Sequence, residues 1–314
     1  MAQKIALYFL QWKIESGQLK IVLNNIPLSI IYFQFREVGC VQHFSLNTTQ
    51  TYNYNVYIYA KISYRGKMYR NCFTQNDEYK AKINTLRPLS DEALAQVKEY
   101  YKIGLTYASN AIEGNTLSLV ETKVVLEDGI TIGGKPLKDH YETVGHAKAF
   151  DKIIELSKNA TFTEADIKLL HKLFYEKIDS EKAGKYRTSQ VIITGSEVEL
   201  PKPEDLDKKM QEFILELPKL KAELHPIEYA AMVHIIFVNI HPFTDGNGRV
   251  ARLLMNLALL QSGYNIVVIP PVVRTDYISA LQETNKGKNT DFINFISEMV
   301  LESQKEYLKI ISRF

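Results

Sequence analysis

The sequence predicts an α+β chain in two parts: a small β-rich amino-terminal domain over residues 1–82, and a mainly α-helical domain over residues 83–314 that carries one β-hairpin. Three observations predict it. Period-two alternation runs through the first part, where Val56, Ile58, Ala60 and Ile62 interleave with Tyr57, Tyr59, Lys61 and Ser63, as suits a strand with one buried face. After Arg87-Pro88 the apolar residues recur at helical spacing instead. Between Gln190 and Leu200, two short runs flank Thr194-Gly195-Ser196 in the pattern of a hairpin.

Within the first part, Glu15-Ser16-Gly17-Gln18 separates a strand over Ile5 to Ile14 from one over Leu19 to Leu23, and Arg65-Gly66 turns the chain into a last strand over Met68 to Phe73. Up to Leu89 there are 11 Lys/Arg against 4 Asp/Glu, whereas the whole chain carries only +2. Tyrosines and lysines on exposed strand faces read first as ordinary sheet surface and second as a docking face.

The helices follow in order. Ser90 caps a helix over residues 90–113 whose first turn holds Asp91 and Glu92, where the macrodipole favours negative charge. Leu94, Val97, Tyr101, Leu105, Ala108 and Ile112 form its apolar stripe. Ser118 with Glu121 makes a capping box, and Gly129 ends that helix. Further helices are expected at 141–157, 164–178, 205–217, 227–240, 248–261, 275–284 and 290–311, with Pro218 stopping the 205–217 helix.

Bulk properties exclude several classes. A chain of 314 residues with 46% hydrophobic and 24% charged residues is globular in composition, and a near-neutral balance gives no reason to expect nucleic acid as a partner. Cys40 and Cys72 are too few for a disulfide framework and lack zinc-site spacing. No apolar run is long enough to span a bilayer, and no cleavage signal follows the first one, so a cytoplasmic chain is expected.

The chemistry concentrates at His241-Pro242-Phe243-Thr244-Asp245-Gly246-Asn247-Gly248-Arg249-Val250-Ala251-Arg252. Pro242 ends the preceding helix, because proline biases its predecessor away from helical angles. A helix then starts near Asn247, so the N–H groups of Gly246, Asn247, Gly248 and Arg249 lie at the positive end of a helix dipole, an anion site before any side chain is counted. Arg249, Arg252 and Asn256 share one face of its first turns. Two guanidinium groups beside a phosphate-sized nest point to a polyphosphate. Asp245 supplies one carboxylate, which with phosphate oxygens and waters is how Mg²⁺ is usually held. His241 is the nearby group able to take a proton near neutral pH. Gly246 to Ala251 formally fits a dinucleotide fingerprint, but the element before it has helical period; Gly129 to Lys135 has phosphate-loop spacing, but Pro136 stands where Ser or Thr should be.

HPFTDGNGRVAR resembles the Fic family signature HxFx(D/E)GNGRxxR at every specified position, and the resemblance extends over roughly residues 90–300, including Gly184-Lys185-Tyr186-Arg187. It implies a helical Fic fold and transfer of AMP from ATP to a hydroxyl of a target protein. By this resemblance His241 deprotonates that hydroxyl and Asp245 binds Mg²⁺. Gly246, Asn247, Gly248 and Arg249 hold the α- and β-phosphates, Arg252 engages the γ-phosphate, and Asn256 and Tyr277 lie near the adenosine. The hairpin strand Gln190, Val191, Ile192, Ile193 and Thr194 is similar to the flap that docks the target segment. Ser109-Asn110-Ala111-Ile112-Glu113-Gly114 resembles the family's inhibitory motif (S/T)xxxE(G/N), which implies that Ser109 and Glu113 brake the site from within the same chain. Self-modification and a homodimer fit the resemblance. Removal of AMP, transfer of another phosphate group, or a nucleotide-sensing regulator without catalysis remain the alternatives.

Overall fold

The computed structural model describes residues 68–192 and 198–314 in full, and the backbone of residues 12–15, 18–23 and 56–60. The chain divides into two units, residues 1–67 and residues 68–314. In the first, strands β1 (Trp12–Glu15), β2 (Gln18–Leu23) and β3 (Val56–Ala60) pair antiparallel in that order.

Among its described residues the second unit has helices as its regular elements and no strand, and this corrects the expected α+β class. A β-rich domain reaching residue 82 is not found: Phe73–Asn84 forms helix α1, and Met68 to Cys72, expected as a strand, has no strand pairing. The reason is physical. Helix α1 buries only Asn76 and Ile83 within its length, so it carries no apolar stripe for a sequence pattern to reveal. It is held by polar contacts instead. The Asn76 amide nitrogen donates to the Cys72 carbonyl at 3.0 Å and the Ser297 carbonyl at 2.9 Å, while the Gln304 amide donates to Asn76 Oδ1 at 2.7 Å. Ser297 and Gln304 belong to α10 (Thr290–Ile311).

Helix α2 (Asp91–Ile112) is capped as expected, Ser90 Oγ accepting from Ala93 N at 3.2 Å, and its stripe from Val97 to Ile112 is buried. The exception is Leu94, which is exposed. The Ser118–Glu121 capping box opens α3 (Leu119–Glu127). Helices α4 (Leu137–Leu156) and α5 (Glu164–Tyr175) follow, and they pack so closely that a Cβ on Gly145 would meet the Phe174 carbonyl oxygen at 2.3 Å. Helix α6 (Leu206–Glu223) runs through Pro218 rather than stopping there. Losing one helix bond is offset because Leu220 and Leu224 beyond the proline pack against the core.

The centre of the unit is the pair α7 (Pro226–Ile240) and α8 (Asn247–Gln261). Every residue from Arg249 to Leu259 is buried, so α8 is a central helix covered on all sides by its neighbours. Helices α9 (Arg274–Thr284) and α10 close the bundle.

The expected flap hairpin is also corrected: Gln190 to Ile192 and Val198 to Leu200 form no strand, while Ile193, Thr194 and the turn Thr194-Gly195-Ser196 fall outside the described residues. The neck of this loop is closed by side chains rather than by a ladder. Gln190 Nε2 donates to the Leu200 carbonyl at 3.0 Å, and the Arg187 guanidinium donates to the carbonyls of Ser189 and Pro201. An isolated two-stranded ribbon is marginal in water, and these bonds supply the closure without one.

Candidate active site

The α7–α8 connection builds the site. His241 is the C-cap of α7 and adopts the left-handed conformation (φ 51°, ψ 56°), its N–H donating to the Phe237 carbonyl at 3.0 Å. This conformation is costly for a residue with a Cβ and serves to reverse the chain. The loop is fixed from both sides. Asn247 Oδ1 accepts from Phe243 N at 2.9 Å and its amide donates to the Phe243 carbonyl at 2.7 Å, while Arg187 donates to the carbonyls of His241 and Pro242, each at 2.9 Å. The Asn247 side chain therefore shapes the turn.

Gly246 is the N-cap of α8 at φ 80°, and a Cβ there would meet the Phe174 ring at 2.9 Å. The first bond of the α8 ladder is Val250 N to the Gly246 carbonyl at 3.0 Å. The N–H groups of Asn247, Gly248 and Arg249 precede that ladder and form the anion nest.

One side chain already approaches it. Glu113, the C-cap of α2, places Oε1 2.5 Å from where a Cβ on Gly248 would stand, and 2.8 Å from Arg252 Nη2. Burial would raise the Glu113 carboxyl, but Arg252 and Arg249 outweigh it and hold it below the ordinary carboxylate range. A carboxylate with the charge and reach of a phosphate thus sits over the nest. Arg274 Nε fixes the end of α2 by donating to the Ile112 carbonyl at 2.5 Å.

Arg252 is buried at 2% exposure. Its Nε donates to Ser109 Oγ at 2.9 Å, its Nη2 to the Ser109 carbonyl at 2.8 Å, and its Nη1 to the Tyr277 hydroxyl at 3.3 Å. Arg249, also buried, pairs through Nη1 with Glu142 at 2.8 Å and stacks over the Phe174 ring at 4.3 Å. Asp245 is more open: Oδ1 accepts from Gly246 N at 2.6 Å and lies 3.5 Å from Arg249, and Oδ2 is 3.9 Å from Lys138 Nζ.

His241 lies beside this nest with Nδ1 3.3 Å from the Val238 carbonyl. With Nδ1 donating there, Nε2 is left as the acceptor. Burial first, and Arg187 to a lesser degree, push its pKa below the usual imidazole value.

The structure thus brings together His241, Asp245, the Gly246–Gly248 turn, Arg249, Arg252, Ser109 and Glu113. Two other expected residues are placed in the core. Asn256 is fully buried, its amide spent on the carbonyls of Arg252 and Val267 and its oxygen on Val267 N. Tyr277 is 1% exposed with its hydroxyl on Arg252 and His234. Sequence reasoning missed Glu142, and it missed His171. His171 Nδ1 accepts from Gly184 N at 2.9 Å, so its Nε2 is the donor to the Asp245 carbonyl at 3.1 Å, and its ring stacks on Phe243 at 3.8 Å. Burial lowers the His171 pKa to about 4, which keeps it a neutral brace. The i, i+4 pair Glu142–His146, facing the helix that bears Ser109, was the available signal for a polar seam.

A histidine, a glycine-shaped helix amino terminus and two buried arginines within one helical bundle form a chemistry suited to an anion. Residues 161–259 match the model of the Fic/DOC family. The chain is 37% identical over 235 residues to the protein adenylyltransferase Fic of Nematostella vectensis, covering 74% of this chain and 54% of that protein. The solved structure of Fic-1 (residues 134–508) from C. elegans superposes with a TM-score of 0.70 at 31% identity, covering 77% of this chain and 72% of that one. A Fic domain containing signalling protein from Bacteroides thetaiotaomicron superposes with a TM-score of 0.68 at 29% identity, covering 76% and 97%. The chain belongs to the Fic/DOC family. It spans about half the length of the curated relatives it matches. Among the described residues no helix is long and apolar enough to cross a membrane.

Proposed function

We propose that this chain is a protein adenylyltransferase, transferring AMP from ATP to a hydroxyl of a target protein, and that Glu113 holds it in an inhibited state. The observation that carries the reading is His241 beside the α8 amino terminus, with two buried arginines behind the nest. The name and similarity of its relatives support the same activity.

His241 Nε2 takes the proton of the attacking hydroxyl. The hydroxyl oxygen bonds to the α-phosphorus, the bond from that phosphorus to the bridging oxygen breaks, and pyrophosphate leaves. The N–H groups at Asn247, Gly248 and Arg249, with the Arg249 guanidinium, hold the α- and β-phosphates, and Arg252 binds the γ-phosphate. The part-exposed Asp245 carboxylate suits Mg²⁺, which is usually held by one or two carboxylates together with phosphate oxygens and waters. Bound there with phosphate oxygens, Mg²⁺ would supply charge stabilisation for the leaving pyrophosphate. Glu113 opposes all of this by occupying Arg252 and setting a negative charge where phosphates belong.

The test is incubation with ATP labelled at the α or the γ position, using the intact chain, Glu113→Gly and Glu113→Gly/His241→Ala. AMP transfer puts α-label and no γ-label on protein, its own hydroxyls included, and His241→Ala abolishes it. Incorporation of γ-label would refute the reading in favour of phosphate transfer.

A further inference from the structure

Among the described residues the Arg252 guanidinium makes four hydrogen bonds, and three go to α2 or its cap: Ser109 Oγ, the Ser109 carbonyl and Glu113 Oε1. The fourth, from Nη1 to the Tyr277 hydroxyl at 3.3 Å, is made to a different helix, α9. Tyr277 in turn meets His234 Nε2 at 2.9 Å, and both are fully buried. A guanidinium only donates, so the Tyr277 oxygen accepts from Arg252, and the Tyr277–His234 Nε2 bond ties that oxygen to α7, with Tyr277 donating when the ring proton sits on Nδ1. Burial keeps His234 neutral by lowering its pKa to about 3, and an imidazolium there would face the Arg252 charge. The ring of Tyr277 is wedged against Phe292 and Phe295 at 5.9 and 6.0 Å, so the hydroxyl cannot follow α2 if α2 moves.

We infer that the His234–Tyr277 pair is the positioning element for Arg252, seating its guanidinium for the γ-phosphate when Glu113 withdraws. The brake and the seat bind the same arginine from opposite helices, and only the seat persists in the open state. This rests on the reading that Arg252 binds the γ-phosphate. It gives Tyr277 a role through Arg252 rather than through adenosine.

The test compares ATP with ADP, which lacks the γ-phosphate, by calorimetric titration of the full chain carrying Glu113→Gly. That background prefers ATP, and Arg252→Ala removes the preference. Adding Tyr277→Phe, which keeps the ring, reduces the ATP-to-ADP affinity ratio about tenfold while leaving the affinity for ADP unchanged. A general packing defect would weaken both nucleotides equally, and an unchanged ratio would also overturn the inference. If Glu113→Gly shows no preference, or Arg252→Ala keeps it, the γ-phosphate reading itself fails. Should Tyr277→Phe not fold, the His234 pair decides: His234→Leu lowers the ratio and His234→Gln, with an acceptor oxygen, restores it. Equal ratios in the two His234 variants count against the relay.

Discussion

The two buried arginines of α8 each face a glutamate at 2.8 Å, yet the two pairs are built for different purposes. Glu142 lies on α4 with its side chain 6% exposed, pairs with Arg249 by charge and accepts a hydrogen bond from the Asn115 amide at 2.9 Å, so Arg249 has a carboxylate partner anchored inside the fold. Glu113 stands at the end of α2 with its side chain 34% exposed, and among the described residues its carboxylate is held by Arg252. A buried guanidinium needs a counter-charge, but whether that counter-charge is a clamp or a switch depends on how its own backbone and second oxygen are anchored. We read the first pair as a clamp on Arg249 and propose the second as a switch on Arg252.

Removing each glutamate separates these roles. Glu142→Ala removes the nearer carboxylate from buried Arg249 and leaves it only the half-exposed Asp245 at 3.5 Å, and a loss of about 3 kcal/mol is expected in denaturant unfolding. Glu113→Gly leaves Arg252 with the Ser109 and Tyr277 acceptors, so the expected loss is only about 1 kcal/mol. Equal losses would erase the distinction between clamp and switch.

The pH dependence sharpens it further. His241 works deprotonated and its pKa lies below the ordinary 6.5, so the rate of Glu113→Gly should be flat at neutral pH and fall only as pH drops through that lowered value. Glu113 is held below the ordinary 4.5, so the carboxylate brake is present throughout this range and released only under stronger acid. Initial rates of both forms should therefore keep a constant ratio across the neutral range; a ratio that collapses between pH 8 and 6 contradicts a carboxylate brake.

The smallest expected effect is at Ser109. Ser109→Ala removes the bond to Arg252 Nε but not the one from the Ser109 carbonyl, so it should loosen the brake about threefold in labelling rate, far less than Glu113→Gly. An effect as large as that of Glu113→Gly would move the switch from the charge to the hydroxyl.

What the sequence disclosed and what it hid divide along the same line. The turn from His241 to Arg252 is contiguous, and glycines, a proline and helix-start geometry make its purpose legible residue by residue. The helices with apolar stripes or caps, such as those beginning at Ser90 and Ser118, were also legible. Helix α1 was not, because it is docked through Asn76 onto Ser297 and Gln304, contacts more than 200 residues away in sequence. Glu142 and His171 were hidden for the same reason: their partners Arg249 and Asp245 meet them only after folding. The hairpin was over-read, since alternation over a few residues carries no information about what closes the loop. The Arg187 clamp closes it here.

If Glu113 and the nucleotide triphosphate compete for one arginine, α-labelled ATP incorporation by the intact chain beside Glu113→Gly shows it. Glu113→Gly should raise incorporation on the order of tenfold or more, as expected for removing a charged competitor. Equal incorporation by the two, with both folded and binding ATP equally well, would contradict it.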